Sequence, residues 1–338
     1  MSFQRIEDVF TAFEKQKVLI IGDVMIDSYL WGEVNRISPE APVPVVSVKK
    51  REKRLGGAAN VAVNIQALGA EPILCAVIGK DHDGLDFLDL LQDQGLSSEG
   101  ILQSESRVTT IKHRILSGHQ HMLRVDSEIT SLINSEDREK LLGRISALLP
   151  ACSVVIFEDY DKGVIDAALI QKVIQLATSQ GIPTVVDPKK RNFLNYIGAS
   201  LFKPNLKELR EGLKMDLVRA DEAELAAAVQ VLREQVKIQE ALITLSEKGV
   251  YINNGRESFL IPAHVRSIAD VSGAGDTVIS VAALCKAVYM SSKFTAALAN
   301  LAGGLVCEYV GVVSIDRDRL LQEAIQNQIF NHEYSQDH

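Results

Sequence analysis

Short β-branched runs alternate with amphipathic helical stretches along most of this chain, and no other feature narrows its possible folds as far. After a helical opening with Phe3, Ile6, Val9, Phe10 and Phe13 on one face, KVLIIG (17–22) reads as a buried strand. PILCAVI (72–78), SVVIF (153–157) and TVVD (184–187) repeat the pattern, with helical spacing over 57–68, 84–94 and 166–179 between them. Runs this short and apolar suit parallel strands covered on both faces. The expected class is therefore α/β, a three-layer α/β/α sandwich around a mostly parallel central sheet. Strands at 200–203 and 241–245, an antiparallel stretch over 249–261 and small-residue helices over 274–290 and 294–309 complete the reading.

Two segments break the rhythm. Residues 29–48, with Pro39, Pro42, Pro44 and the run VPVVSV, and residues 106–126, with TTIKHRIL and HQHMLRV, read as extended pieces with polar flanks. They predict a small β-sheet lid outside the main sheet. No repeat, low-complexity tract or flexible linker divides the chain, so one domain over 1–338 carrying that lid is expected. The apolar alternation of VPVVSV further predicts a lid face covered by a second copy, hence a homodimer.

Charge and cysteine usage exclude several classes. With 36 basic against 44 acidic residues and a formal charge of −8, the chain has no general basic face for nucleic acid, and any polyanionic ligand must be held locally. The opening MSFQRIEDVFTAFEKQK lacks the apolar core of a signal peptide, and no uncharged apolar run reaches the roughly 18 residues of a membrane span. Cys75, Cys152, Cys285 and Cys307 sit in apolar contexts without metal spacing, as buried thiols do in a reducing cytoplasm. The His119 and His121 pair lacks a third ligand at metal spacing and belongs to the lid or the surface.

The strongest chemical signal is DVSGAGDT (270–277) opening an apolar helix. Gly273, Ala274 and Gly275 leave backbone N–H groups free to converge on an anion at the positive end of the helix dipole. Asp276, in the first turn, is placed to take a proton from a hydroxyl beside that anion, which together describes phosphoryl transfer to an alcohol. Taken alone, the same residues would serve equally as a glycine turn with an acidic helix start. No GxxxxGK[ST] occurs, since Gly79-Lys80 is followed by Asp81, and Val278 stands where a dinucleotide fingerprint needs its third glycine. A second signal is GGAAN (56–60), where Gly56 and Gly57 allow a polyol to approach the backbone and Asn60 offers donor and acceptor. Asp23 and Asp27 follow the first strand, where α/β sheets bind ligands, and suit vicinal hydroxyls.

GGAAN, Asn205-Leu206-Lys207-Glu208 and DVSGAGDT, in that order and spacing, resemble the ribokinase-like, PfkB-type carbohydrate kinases over essentially the whole chain. The resemblance implies an ATP- and magnesium-dependent kinase with a ribokinase-like fold and a lid closing over the sugar. Asp276 would then be the catalytic base. Asn205 and Glu208 would lie near the phosphates, with Glu208 acting on magnesium through water, although N-x-x-E also reads as a helix capping box. Thr244, Ser246 and Gly249 in ITLSEKG resemble the nucleotide-binding turn, and Asn300 in ALANLAGG an adenine-side contact.

Within the family, the stretch IGDVMIDSYLWGEVNRISPEAPVPVV (21–46) is similar to the branch that phosphorylates D-glycero-β-D-manno-heptose 7-phosphate at its anomeric hydroxyl, in the supply of ADP-heptose for lipopolysaccharide core. Many members of that branch continue into a nucleotidyltransferase domain with an HxGH motif. None occurs here, so that activity is expected on another protein. The substrate's own phosphate needs cations: Lys189, Lys190 and Arg191 after a strand, or Arg36, Lys112, Arg114 and Arg124 in the lid, with Lys189 preferred. A kinase for another sugar or sugar phosphate, or a non-catalytic sugar-binding regulator, are the alternatives.

Overall fold

The structure, a computed structural model, describes residues 3–118 and 120–332, so His119 lies outside the described residues. Among the described residues thirteen strands run in chain order as β1 (Lys17–Gly22), β2 (Val24–Ile37), β3 (Pro44–Gly57), β4 (Glu71–Gly79), β5 (Ile101–Ser104), β6 (Ile111–Ser117), β7 (Gln120–Ser127), β8 (Val154–Glu158), β9 (Thr184–Asp187), β10 (Leu201–Phe202), β11 (Glu240–Thr244), β12 (Val250–Asn253) and β13 (Ser258–Ile261). The helices are α1 (Ile6–Phe13), α2 (Ala58–Ala67), α3 (His82–Asp93), α4 (Ser135–Leu148), α5 (Ala167–Ser179), α6 (Leu206–Leu213), α7 (Glu222–Val236), α8 (Ala274–Ala287), α9 (Ser292–Val306) and α10 (Arg317–Gln326). Nine strands form one sheet in the order β13-β12-β11-β10-β9-β8-β1-β4-β5, parallel from β5 through to β11 and antiparallel over β11-β12-β13.

Alternation along each strand divides the core in two. Ile20, Ile156, Val185, Leu201 and Leu242 point toward α1, α2, α8, α9 and α10. Their neighbours Leu19, Ile21, Phe157, Val186, Phe202 and Ile243 point toward α4, α5 and α7. Both faces are therefore covered, which is why these strands read as unbroken apolar runs. All four cysteines are buried free thiols. Among the described residues, no helix is long and apolar enough to cross a membrane.

The lid is a second sheet, β3-β2-β6-β7, with β2 parallel to β6 and its other pairings antiparallel. It is longer than the sequence predicts. Strand β2 begins at Val24 rather than near residue 29, and β3 runs through Gly57, so only Asp23 separates the lid from β1. The helix expected from residue 57 starts at Ala58, because Gly57 is still paired with Val24 at φ 61°. That backbone conformation favours glycine, and a Cβ there would sit 2.5 Å from the Asp23 carbonyl oxygen.

Candidate active site

The C-terminal ends of β1, β8, β9 and β10 open beneath the N-terminus of α8, and the lid's inner face stands over them. Gly273, with φ 80°, is the residue before α8 and turns the chain into it. Asp276 follows in the first turn and is buried, 5% exposed. Its two carboxylate oxygens have separate donors: Asn60 Nδ2 at 2.6 Å from Oδ2, and the Tyr160 hydroxyl at 2.7 Å from Oδ1. Burial pushes the Asp276 carboxyl up to about 6, the two hydrogen bonds work against that rise, and the charge of Asp187 adds to it. An ordinary aspartate near 4 is a weak base at neutral pH, whereas one near 6 stays largely ionised at pH 7 while binding a proton more tightly.

Asn60, expected from GGAAN to meet a polyol, here spends a donor on orienting Asp276. Asn64, one turn along α2, donates to the Asn60 carbonyl at 2.9 Å and accepts from the Thr277 hydroxyl at 3.1 Å and the Ile315 amide at 3.0 Å. One face of α2 thus locks the first turn of α8 in place. At that turn the Ala274 amide bends back to the Val271 carbonyl at 3.3 Å, so within the expected anion hole Ala274 contributes less than Gly275.

The floor is a row of ionisable groups from adjacent strand ends. Asp187 pairs with Lys203 at 2.7 Å and Lys189 at 3.4 Å; burial opposes its charge, but the two ammonium groups outweigh burial and hold its carboxyl below the usual range. A Cβ on Gly275 would lie 3.7 Å from both Asp187 Oδ2 and Lys203 Nζ, so the α8 amide end and the Lys203 ammonium face the same small space. Helix N-terminus, ammonium and base together can receive a transferring phosphoryl group and the hydroxyl that attacks it. Glu158, one strand over, is fully buried with neither carboxylate oxygen hydrogen-bonded, and burial, Asp187 and Asp276 push its carboxyl well above the usual range. Sequence reading missed Tyr160, Lys203, Glu158 and Asn64. For Glu158 and Lys203 a signal existed: each sits at the C-terminal end of a parallel strand or one residue beyond it.

On the lid side, Asp27 is 2% exposed and ion-paired with Arg114 of β6. A Cβ at Gly56 would collide with the Asp27 carboxylate, so glycine there keeps that side chain in its place. Tyr29 lies between two guanidinium groups, Arg54 at 5.1 Å and Arg114 at 5.4 Å from its ring, and Arg54 also donates to the Val312 carbonyl at 2.8 Å. These contacts join the lid's inner face to the loop between α9 and α10. Asp23, expected to meet sugar hydroxyls, is instead a loop clamp. Its oxygens accept from the backbone amides of Tyr160 at 2.9 Å, Lys162 at 3.1 Å and Val164 at 3.0 Å, and the residue is 1% exposed. That clamp is what holds the Tyr160 hydroxyl on Asp276.

The sequence profile of the pfkB family carbohydrate kinases matches residues 15–318. This chain belongs to that family. It is 40% identical over 309 residues to the bifunctional protein HldE of Desulfatibacillum aliphaticivorans, covering 91% of this kinase and 63% of that relative. The HldE of Helicobacter pylori strain HPAG1 is 41% identical over 88% of this chain and 64% of its own length. The kinase thus spans less than two thirds of the length of these relatives. Phosphofructokinase-2 from Escherichia coli, solved in complex with potassium, shares the fold with a TM-score of 0.75 at 18% identity, over 93% of this chain and 99% of that one. Membership in a family of carbohydrate kinases implies ATP as phosphoryl donor and a sugar or sugar phosphate as acceptor.

Several residues that the sequence assigned to ligands have protein partners in this kinase. Asn205 and Glu208 form a reciprocal capping box on α6, each side chain accepting from the other's amide at 2.8 Å. The remaining Glu208 oxygen is 2.6 Å from Lys189 Nζ, so Lys189 is bound between two carboxylates. Leu206 packs into the core beside β11, whereas Lys207 extends into solvent. Thr244 ends β11 and bridges to Asn205; Ser246 opens the following turn at φ 53°; Gly249 closes it at φ 92°, where a Cβ would collide with the Ile261 carbonyl. Asn300 donates to the Pro262 carbonyl at 2.8 Å and so fixes the chain leaving β13. Arg36 lies exposed near the far end of β2, about 30 Å of extended strand beyond Asp27.

Proposed function

We propose that this chain transfers the γ-phosphoryl group of ATP to the anomeric C1 hydroxyl of D-glycero-β-D-manno-heptose 7-phosphate, giving the 1,7-bisphosphate, in the supply of ADP-heptose. The observation that carries the chemistry is Asp276, buried at the start of α8 with its proton affinity raised and both oxygens held by Asn60 and Tyr160. The acceptor hydroxyl loses its proton to Asp276 as its oxygen forms the new bond to phosphorus, and ADP leaves with the electrons of the broken P–O bond. In a loose phosphoryl-transfer transition state most of the rate comes from positioning and charge stabilisation, which the amide end of α8, Gly275 above all, and Lys203 supply. Asp27, seated over Gly56, offers the sugar a carboxylate. The choice of heptose 7-phosphate rests on the stretch 21–46 and on the bifunctional relatives, of which this chain matches about two thirds.

Magnesium fits the residues present in one mode. No cluster of three or more metal-ligating side chains occurs among the described residues, and magnesium favours one or two carboxylates completed by water and phosphate oxygens. Glu208, whose two oxygens accept from the Asn205 amide and from Lys189, would hold the ion through water using their remaining lone pairs, and the ion would neutralise charge on the nucleotide phosphates. We further place the enzyme in the cytoplasm as a single kinase unit that dimerises through its lid. Ile37, Val43, Val48, Leu123 and Val125 leave apolar surface exposed on the lid strands and their connection. Sedimentation that shows only the 37.0 kDa species at micromolar concentration rejects the dimer.

The deciding experiment is Asp276→Asn in an ADP-release assay with heptose 7-phosphate. Loss of a general base predicts a fall in kcat of about 10² to 10⁴. Turnover within a few-fold of wild type refutes the assignment. Preference for unphosphorylated ribose or fructose in a substrate panel assigns the site to a different sugar.

A further inference from the structure

Four cations and three carboxylates meet where the lid's inner face crosses the loop after β8. Each carboxylate is already paired: Asp27 with Arg114, Asp126 with Arg124 at 3.0 Å, and Glu128 with Lys162 at 2.8 Å. The fourth cation is Lys112. It stands on β6 directly between Asp27 on one neighbouring strand and Asp126 on the other, yet it makes no ion pair or hydrogen bond among the described residues. It is not an ordinary solvated charge either. Lys49 and Lys50 on the outer strand have side chains 62% and 66% exposed, whereas Lys112 is half-buried. Burial, and then the charge of Lys162, push its ammonium below the usual lysine range, and Asp27, Asp126 and Glu128 offset this only in part.

A half-buried ammonium whose neighbouring carboxylates are all paired elsewhere, in a protein of net charge −8, marks a place built for an anion from elsewhere. We propose that Lys112 is the site that binds the phosphate monoester of the acceptor sugar. The assignment deepens the sugar-phosphate kinase reading and rests on it. The placement is consistent with one substrate spanning two functions. Lys162 lies two residues from Tyr160 in the loop that Asp23 clamps, and its carbonyl is also held by the buried Arg107 guanidinium. The same rigid loop therefore fixes the base's hydroxyl partner at one end and an ammonium at the other. A sugar whose reacting hydroxyl lies at Asp276 would extend past Asp27 toward Lys112, so a phosphate on its far end is measured by the loop. Lys189, the cation preferred from sequence, is already neutralised by Asp187 and Glu208, which leaves this role open.

The test compares kcat/KM for heptose 7-phosphate and for the unphosphorylated heptose, in wild type and in Lys112→Gln, with the KM for ATP read alongside. A charge-assisted bond to phosphate predicts that the preference for the phosphorylated sugar falls about 10- to 100-fold, with Lys112→Arg restoring most of it. An undiminished preference in a Lys112→Gln protein that melts like wild type overturns the assignment. A second measurement needs no variant: the sugar phosphate should protect Lys112 of the wild-type protein from reductive methylation, and the unphosphorylated sugar with ADP should not. Equal labelling in all three conditions overturns it as well. If wild type ignores heptose 7-phosphate but prefers another phosphorylated sugar, the heptose reading fails, and the same ratio with that sugar and its unphosphorylated form tests Lys112. Preference for unphosphorylated sugars overturns both.

Discussion

Removing the Tyr160 hydroxyl isolates one contribution to the base without touching the base itself. In Tyr160→Phe, Asp276 keeps its Asn60 donor but loses the 2.7 Å bond on its other oxygen. That bond favours the ionised carboxylate, so its loss raises the proton affinity of Asp276 further above its starting value of about 6. A hydrogen bond to a charged group is worth about 1.5 kcal/mol at the low end of its range, or about one pKa unit. With a shift from about 6 to about 7, the ionised fraction at pH 7 falls from about nine-tenths to about one-half, and at pH 6 from about one-half to about one-tenth. The expected kcat/KM is therefore about two-fold lower at pH 7, about five-fold lower at pH 6 and close to wild type at pH 9. A coupled ADP-release assay at low sugar phosphate, run from pH 5 to 9, reads the acid limb directly. A limb that stays in place while activity drops uniformly would show that Tyr160 positions substrate and does not tune Asp276. A limb that moves to lower pH would refute the electrostatic reasoning outright.

Two further substitutions probe buried carboxylates in opposite ways. Asp23→Ala leaves the amides of Tyr160, Lys162 and Val164 without their acceptor, and at about 1 to 3 kcal/mol for each buried orphan it should lower the melting temperature by several degrees and open the 160–164 loop to protease; a wild-type melt rules out the clamp. Glu158→Gln should do the reverse. The folded carboxyl binds its proton more tightly than the unfolded one, so this group's stability contribution is complete below about pH 4.5 and is lost as pH rises toward the folded value. The glutamine variant should therefore melt higher than wild type at pH 8 and equally at pH 4, and a variant less stable at both pH values would show that the carboxylate has a partner worth keeping.

Local signals were legible in the sequence, and long-range ones were not. The strand-helix alternation and the glycine-led start of α8 are properties of a few consecutive residues, so the sandwich and the position of Asp276 could be read directly. What Asn60 does could not be read, because its target is 216 positions away and only α2 packing on α8 brings the two together. Tyr160 stands in EDYDKGV, where nothing in the local spacing distinguishes it from any strand-end tyrosine. Asn205 and Glu208 pose a different difficulty: the capping box and the phosphate-side role require the same residue types at the same spacing, and the structure exhibits the first without excluding the second. Charge assignments pose a third difficulty. Lys189, in a basic run after a strand, is the stronger candidate in the sequence, and only the arrangement of carboxylates in space, two beside Lys189 and none left unpaired beside Lys112, sets Lys112 apart. In an acidic protein that binds phosphates, the cation to look for is therefore the one whose neighbouring carboxylates are all otherwise engaged.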